Sequence, residues 1–87
     1  MNYELAKSLS GHDRDQIYLI WKKEGRFAYL VDGKAHTLAN PKKKNEKHYQ
    51  AVKHIPEHII LRLNENGPLS DDAVRGAIKA YERSINK

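Results

Sequence analysis

Apolar and polar positions over the first fifty residues follow the short runs typical of β-strands. Residues 17–21 (Ile-Tyr-Leu-Ile-Trp) are β-branched and aromatic, which favours a strand over a helix. Asp32-Gly33 is a strong hairpin signal, because glycine tolerates positive φ. We therefore predict about five short strands, at residues 4–9, 17–21, 27–31, 34–38 and 49–52. Strands of this number and length suit a small barrel.

The spacing of apolar residues changes to a helical period in the last third of the chain. Pro56 suits the first position of a helix, and Ile59, Ile60 and Leu63 then share one helical face. The sequence 66–68 (Asn-Gly-Pro) is predicted to end this helix, because glycine fits the position after a helix and proline cannot continue it.

A second helix is predicted after Ser70, a good N-cap residue. Gly76 in its interior suggests close packing against the barrel. Arg75, Lys79 and Arg83 recur every four residues and form a basic row, for which we favour a solvated face over contact with phosphate. The predicted buried stripe of this helix is Val74, Ala77, Ile78, Tyr81 and Ile85.

Strand alternation divides the side chains of residues 17–21 between two faces of the sheet. Ile17, Leu19 and Trp21 fall on one face, and Tyr18 and Ile20 fall on the other. A small barrel needs most of its large apolar side chains in the core. We therefore place the aromatic residues in the core, with Tyr18 and Tyr29 as the exceptions that could stack on bases.

A chain of 87 residues supports one core and therefore one domain overall. Within it we expect a β-barrel over residues 1–53 and a helical extension over residues 54–87 packed on that barrel. The longest apolar run has five residues, whereas a membrane helix needs about twenty. The first residues contain no apolar segment of the kind found in secretory signals, so we expect a cytoplasmic location. A monomer is the expected state.

The net charge of +5 is concentrated in the middle of the chain. Residues 22–58 carry nine basic and four acidic side chains, whereas the flanking segments are close to neutral. Lys42, Lys43, Lys44 and Lys47 fall within six positions, and we interpret them as an exposed loop. Four ammonium groups so close together repel one another unless an anion lies among them, and phosphate backbones are a common such anion. A solvated loop that only aids solubility is the alternative.

The sequence contains none of the motifs that indicate catalysis or a bound cofactor, so we predict no enzymatic activity and no cofactor. Asp13 and Asp15 are interpreted as turn-stabilising residues rather than an acid/base pair. His54 and His58 are four apart, but Pro56 lies between them and no further ligand is evident, so we predict no metal site. There is no cysteine, which excludes disulfides and thiolate metal sites.

Residues 7–20 (KSLSGHDRDQIYLI) resemble the turn of KOW-type RNA-binding domains, in which an apolar strand, a glycine and a short basic turn lead into a second apolar strand. The turn at 32–34 (Asp-Gly-Lys) and the segment 40–44 (Asn-Pro-Lys-Lys-Lys) strengthen the match. Together they resemble the bacterial KOW-domain proteins related to large-subunit ribosomal protein fourteen of archaea and eukaryotes. The resemblance covers residues 4–53, and the helical end resembles that of the short bacterial members.

The resemblance implies an SH3-like β-barrel, here five-stranded and followed by two short helices, that binds RNA, typically ribosomal RNA, without catalysis. Gly11 matches the KOW glycine and Arg14 matches the basic turn position. Asp15 departs from the pattern, because the family often has glycine there. A positive-φ turn costs more for aspartate than for glycine, and the carboxylate weakens phosphate attraction beside Arg14.

We therefore predict a ribosomal or ribosome-associated protein that holds structured RNA through phosphate and 2′-hydroxyl contacts. Charge alone leaves DNA binding open. The alternative is a protein-interaction module whose helices or barrel edge bind a protein partner. The predicted RNA-contacting residues are Gly11, His12, Arg14, Lys34, Lys42, Lys43, Lys44, Lys47 and His48.

Overall fold

Five antiparallel strands form one curled sheet. The computed structural model describes residues 3–52, 54–64 and 67–85. The strands are β1 (Glu4–Ser8), β2 (Ile17–Glu24), β3 (Phe27–Val31), β4 (Lys42–Asn45) and β5 (Tyr49–Ala51), with a 3₁₀ turn at Glu46–His48 between the last two. Their order across the sheet is β4-β3-β2-β1-β5, so β4 and β5 are the two edges.

The curl gives the sheet a concave and a convex face, and each face has its own apolar cluster. The concave cluster contains only sheet residues, and the curl itself encloses it. Leu5, Ile17, Leu19 and Val31 on the convex face are covered by the two helices instead. The concave cluster is Ala6, Tyr18, Ile20, Ala28 and Leu30, with Tyr49 packed against it. The sheet therefore forms half of a barrel, and the two helices pack on its outer, convex face.

The helices α1 (Glu57–Asn64) and α2 (Asp71–Ile85) cover the convex face. The Ser70 hydroxyl accepts a hydrogen bond from the amide of Ala73 at 3.1 Å, so the predicted N-cap is confirmed. The predicted stripe of α2 is confirmed for Val74, Ala77 and Ile78, but Ile85 is exposed. Lys53 and Asn66, at the predicted end of the barrel and of α1, lie outside the described residues.

The prediction that residues 34–38 form the return strand is wrong. The chain does turn at Gly33, which has a φ of +77°, but the partner of β3 is β4. The Asp32 carboxylate accepts hydrogen bonds from the amides of Lys34 and His36, at 2.9 and 3.0 Å. Such a side chain satisfies backbone donors that a strand would have paired, so a loop replaces the strand.

The prediction of an exposed lysine loop is also wrong, because Lys42–Asn45 is strand β4. Lys42 pairs with Leu30 and Lys44 with Ala28, two residues of the concave cluster. Cross-strand partners share a face and neighbouring residues alternate, so Lys42 and Lys44 lie on the concave face and Lys43 lies on the convex face.

Two aromatic residues differ from the prediction because of local features of β2. Tyr18, one of the two aromatic residues singled out as possible exceptions to core packing, is 1% exposed and belongs to the concave cluster. Trp21, expected in the core, is 45% exposed. Ile20 pairs with Leu30 and Lys22 with Tyr29, so Trp21 is the extra residue of a β-bulge. A bulge interrupts the alternation that would have buried this side chain.

The glycine that packs tightly is Gly33, not Gly76. A Cβ atom at Gly33 would lie 2.4 Å from the backbone oxygen of Asp71 at the start of α2. A Cβ atom at Gly76 would meet only the side chain of Arg62, at 3.7 Å, so no close contact with the sheet requires glycine there. Close approach of the loop to α2 therefore depends on the missing side chain at position 33.

Candidate nucleic-acid interface

The turn between β1 and β2 is closed by its own backbone. The amide of Asp15 donates to the Ser8 carbonyl at 2.8 Å, and the amide of Ser8 donates to the Gln16 carbonyl at 3.0 Å. Gly11 has a φ of +85° and Asp15 a φ of +71°, so both use the left-handed region. Asp15 thus takes the conformation for which the KOW pattern often uses glycine.

A buried carboxylate lies at the centre of this turn. Asp13 accepts hydrogen bonds from the hydroxyls of Tyr18, at 2.9 Å, and Ser8, at 3.1 Å. The ammonium groups of Lys42 and Lys44 lie 2.8 and 3.1 Å from its oxygens. We call these five residues the Asp13 network. The interpretation of Asp13 as a turn-stabilising residue is confirmed, and its carboxylate also joins the turn to β4.

The contacts within this network lower the pKa of Asp13. Burial alone would raise the pKa of this carboxyl group, but the hydrogen bonds from Lys42, Lys44, Tyr18 and Ser8 outweigh burial and hold the pKa well below its ordinary value. Burial raises the pKa of the Tyr18 hydroxyl, and its hydrogen bond to Asp13 raises it further. The carboxylate is therefore ionised at neutral pH, and the phenol keeps the proton that it donates.

The ammonium group of Lys44 is fully engaged by contacts with this network and its turn. Its side chain is 9% exposed, and its ammonium group also donates to the Ser8 hydroxyl and the Ser10 carbonyl, at 2.8 and 3.1 Å. Among the described residues, every buried side-chain nitrogen or oxygen has a hydrogen-bond partner. A phosphate could reach this ammonium group only by displacing Asp13. The anion that the lysine run needs is supplied by the protein itself.

The other predicted contact residues of this segment are exposed. The Lys43 ammonium lies 4.5 Å from the centre of the Phe27 ring, on the convex face. Lys47 and His48 belong to the 3₁₀ turn, and the Asn45 side chain accepts a hydrogen bond from the Lys47 amide at 2.9 Å. The His48 carbonyl accepts from the Leu9 amide at 2.9 Å, which fixes this turn beside the turn of Gly11 and His12.

Arg14 and Lys34 come together in one groove of about 730 Å³. The turn after β1 supplies Arg14 and Asp15, and the loop after β3 supplies Asp32 and Lys34. Residues 72–82 of α2 supply the remaining wall. Two predicted contact residues, twenty positions apart in sequence, thus line the same groove.

Sequence reasoning missed the role of Asp13 toward the lysines and the position of α2 beside Arg14. The spacing of Lys42 and Lys44 by two residues is a strand signal that could have indicated a shared face. No pattern in the sequence connects Asp13 with that pair, because the contact spans about thirty positions.

No protein-family model matches the sequence, and a search of curated proteins finds no significant similarity. Within the described residues, no helix is long and apolar enough to cross a membrane. No group of three or more histidine, cysteine, aspartate or glutamate side chains in these parts of the chain is arranged to hold a metal ion.

Proposed function

We propose that this protein is a non-catalytic, KOW-type RNA-binding protein that works on or with the ribosome. One observation carries the proposal: Arg14 and Lys34 line a common groove, and neither forms an ion pair among the described residues. Cationic side chains that line a groove and lack an ion-pair partner attract the phosphates of nucleic acid. The curled five-stranded sheet supports the finer assignment to an SH3-like barrel.

RNA contact in this proposal comes from shape and charge rather than from base sequence. Arg14 offers a planar guanidinium group, which suits bidentate contact with a phosphate, and Lys34 offers a flexible point charge. His12, Lys47 and His48 lie on adjacent exposed turns and extend the surface. Lys42 and Lys44 are left out of the contact set, because they hold Asp13.

The experiment compares two double variants that remove the same charge. Arg14→Gln/Lys34→Gln empties the groove of its two predicted contacts. Lys22→Gln/Lys23→Gln is the control, because these lysines pair with Glu24 and Glu4 elsewhere on the sheet. Binding of a fluorescent RNA hairpin is measured by anisotropy over a range of salt concentrations. Each lost phosphate contact lowers the salt slope by about 0.7–0.9, so we expect a loss of about 1.4–1.8 for the groove variant alone.

Equal losses in both double variants would mean that only the net charge matters and would contradict the groove assignment. Absence of RNA binding by the unchanged protein would contradict the proposed function itself. A DNA hairpin of the same sequence tests the preference for RNA, since only RNA offers 2′-hydroxyl groups.

A protein-interaction module is the second candidate. It is favoured by Leu61 on α1 and Ile85 on α2, two apolar side chains that are exposed. Single exposed apolar residues are common on protein surfaces, so this observation carries less weight than the groove. Binding through these residues would persist at high salt, whereas phosphate contacts would weaken steeply.

A further inference from the structure

We infer that α2 is one wall of an RNA-binding groove and that Lys79 on this helix contacts the RNA backbone opposite Arg14. The inference rests on the proposed function and extends it to a residue for which the sequence favoured a solvated face. Lys79 lines the groove of Arg14 and Lys34, whereas Arg83, the next basic residue of the same helical row, does not.

The α2 wall is fixed against the loop that carries Lys34. The guanidinium group of Arg75 donates to the Gly33 carbonyl at 2.8 Å. The Asp71 carboxylate accepts from the amide of Leu38 at 2.9 Å. Gly33 also approaches the backbone of Asp71 more closely than any side chain would allow. Because these contacts hold helix and loop together, the backbone positions that carry Lys79 and Lys34 are fixed relative to each other before a ligand binds.

Two of the four carboxylates that line the groove form ion pairs. Asp15 lies 3.7 Å from the Lys7 ammonium, and Asp32 accepts from two backbone amides. Asp72 pairs with Arg75. Asp32 and Glu82 both line the groove and form no ion pair within the described ranges.

The cations of the groove are mostly free. Arg75 is held by Asp72 and by Gly33, but Arg14, Lys34 and Lys79 take part in no ion pair of the described chain. Three cations without an ion pair therefore share the groove with two carboxylates without an ion pair, Asp32 and Glu82. The unpaired cations lie on three separate elements, which suits a ligand with several phosphates along its length, the chemistry of an RNA backbone.

The floor of the groove is apolar, because Ile17 and Ile78 lie beneath the charged rim. An apolar floor lowers the local dielectric constant and strengthens the attraction between the rim and an anion. Gly76 also lines the groove.

The test uses Lys79→Gln with Arg83→Gln as its matched control. Both residues are exposed, both lie on α2, and each substitution removes one positive charge. Anisotropy of the fluorescent RNA hairpin is again measured against salt concentration. We expect Lys79→Gln to lower the salt slope by about 0.7–0.9 and Arg83→Gln to leave it unchanged. Thermal melts of both variants should match the unchanged protein, because exposed substitutions of this kind cost little stability.

Equal slopes for Lys79→Gln and Arg83→Gln, with Arg14→Gln/Lys34→Gln still lowering the slope, would overturn the role of α2 and leave the proposed function standing. Failure of the unchanged protein to bind the hairpin would instead overturn the proposed function. A larger loss of slope for Arg83→Gln than for Lys79→Gln would place the RNA further along α2 and overturn the groove.

Discussion

The lysines on the two faces of β4 differ in exposure and in what their ammonium groups contact. Lys44 on the concave face is buried and gives its ammonium group to Asp13. Lys43, the preceding residue, lies on the convex face over the Phe27 ring and remains exposed. Strand alternation alone makes this division. A count of lysines therefore overstates the charge that a ligand can reach, because part of it neutralises a carboxylate inside the protein.

Removing the concave carboxylate should have the largest effect on stability. Asp13→Asn leaves Lys44 as a buried charge without a counterion, and breaking such a pair costs about 3–5 kcal/mol. Asp15→Asn is the matched control, because Asp15 is exposed and its partner Lys7 lies 3.7 Å away. An exposed pair of this kind contributes about 0–1 kcal/mol, and asparagine tolerates positive φ. Urea denaturation measures both variants, and similar losses would remove the distinction between the two faces.

Acid should weaken the same network. The Asp13 pKa is lower in the folded than in the unfolded protein, where it is about 3.9. Its contribution to the free energy of unfolding is therefore complete above about pH 5 and declines as the pH falls toward the folded pKa. Denaturation curves between about pH 6 and pH 3 should show this decline, and Asp13→Asn should make it shallower. An equal decline in both proteins would assign the acid sensitivity to other carboxyl groups.

The smallest effect is a difference in chemical labelling. An amine-acetylating reagent should modify Lys43 quickly in the folded protein and Lys44 slowly, because Lys44 must first become exposed through local opening. Tandem mass spectrometry of the labelled peptide distinguishes the two adjacent residues. Asp13→Asn should speed the labelling of Lys44 more than that of Lys43. Equal initial rates in the unchanged protein would contradict the burial of Lys44.

The elements that were predicted well are those whose signals are local. β2 and β3 begin at the predicted residues, and α2 follows Ser70, because apolar period and capping act over a few positions. β4 was missed because lysine has a low strand propensity and its burial depends on Asp13, a residue far away in sequence. Tertiary contacts of this kind leave little trace in a single sequence.

The candidate site was predicted in its parts rather than in its arrangement. Arg14 and Lys34 were singled out separately, one from the KOW-like turn and the other from the Asp-Gly turn. Their common groove depends on the packing of Gly33 against α2, which decides where the loop after β3 goes. The sequence predicts the turn at Gly33, but it does not show that this turn packs against α2.

The position of β4 at the edge of the sheet has a consequence for self-association. An edge strand exposes backbone donors and acceptors to which a strand of another molecule could add. If two copies of β4 paired with each other, lysine would face lysine across the new interface. Like charges placed directly opposite destabilise a strand pair, and lysines on edge strands are a common protection against aggregation. The lysines that hold the Asp13 turn therefore also discourage the sheet from growing into an assembly of copies.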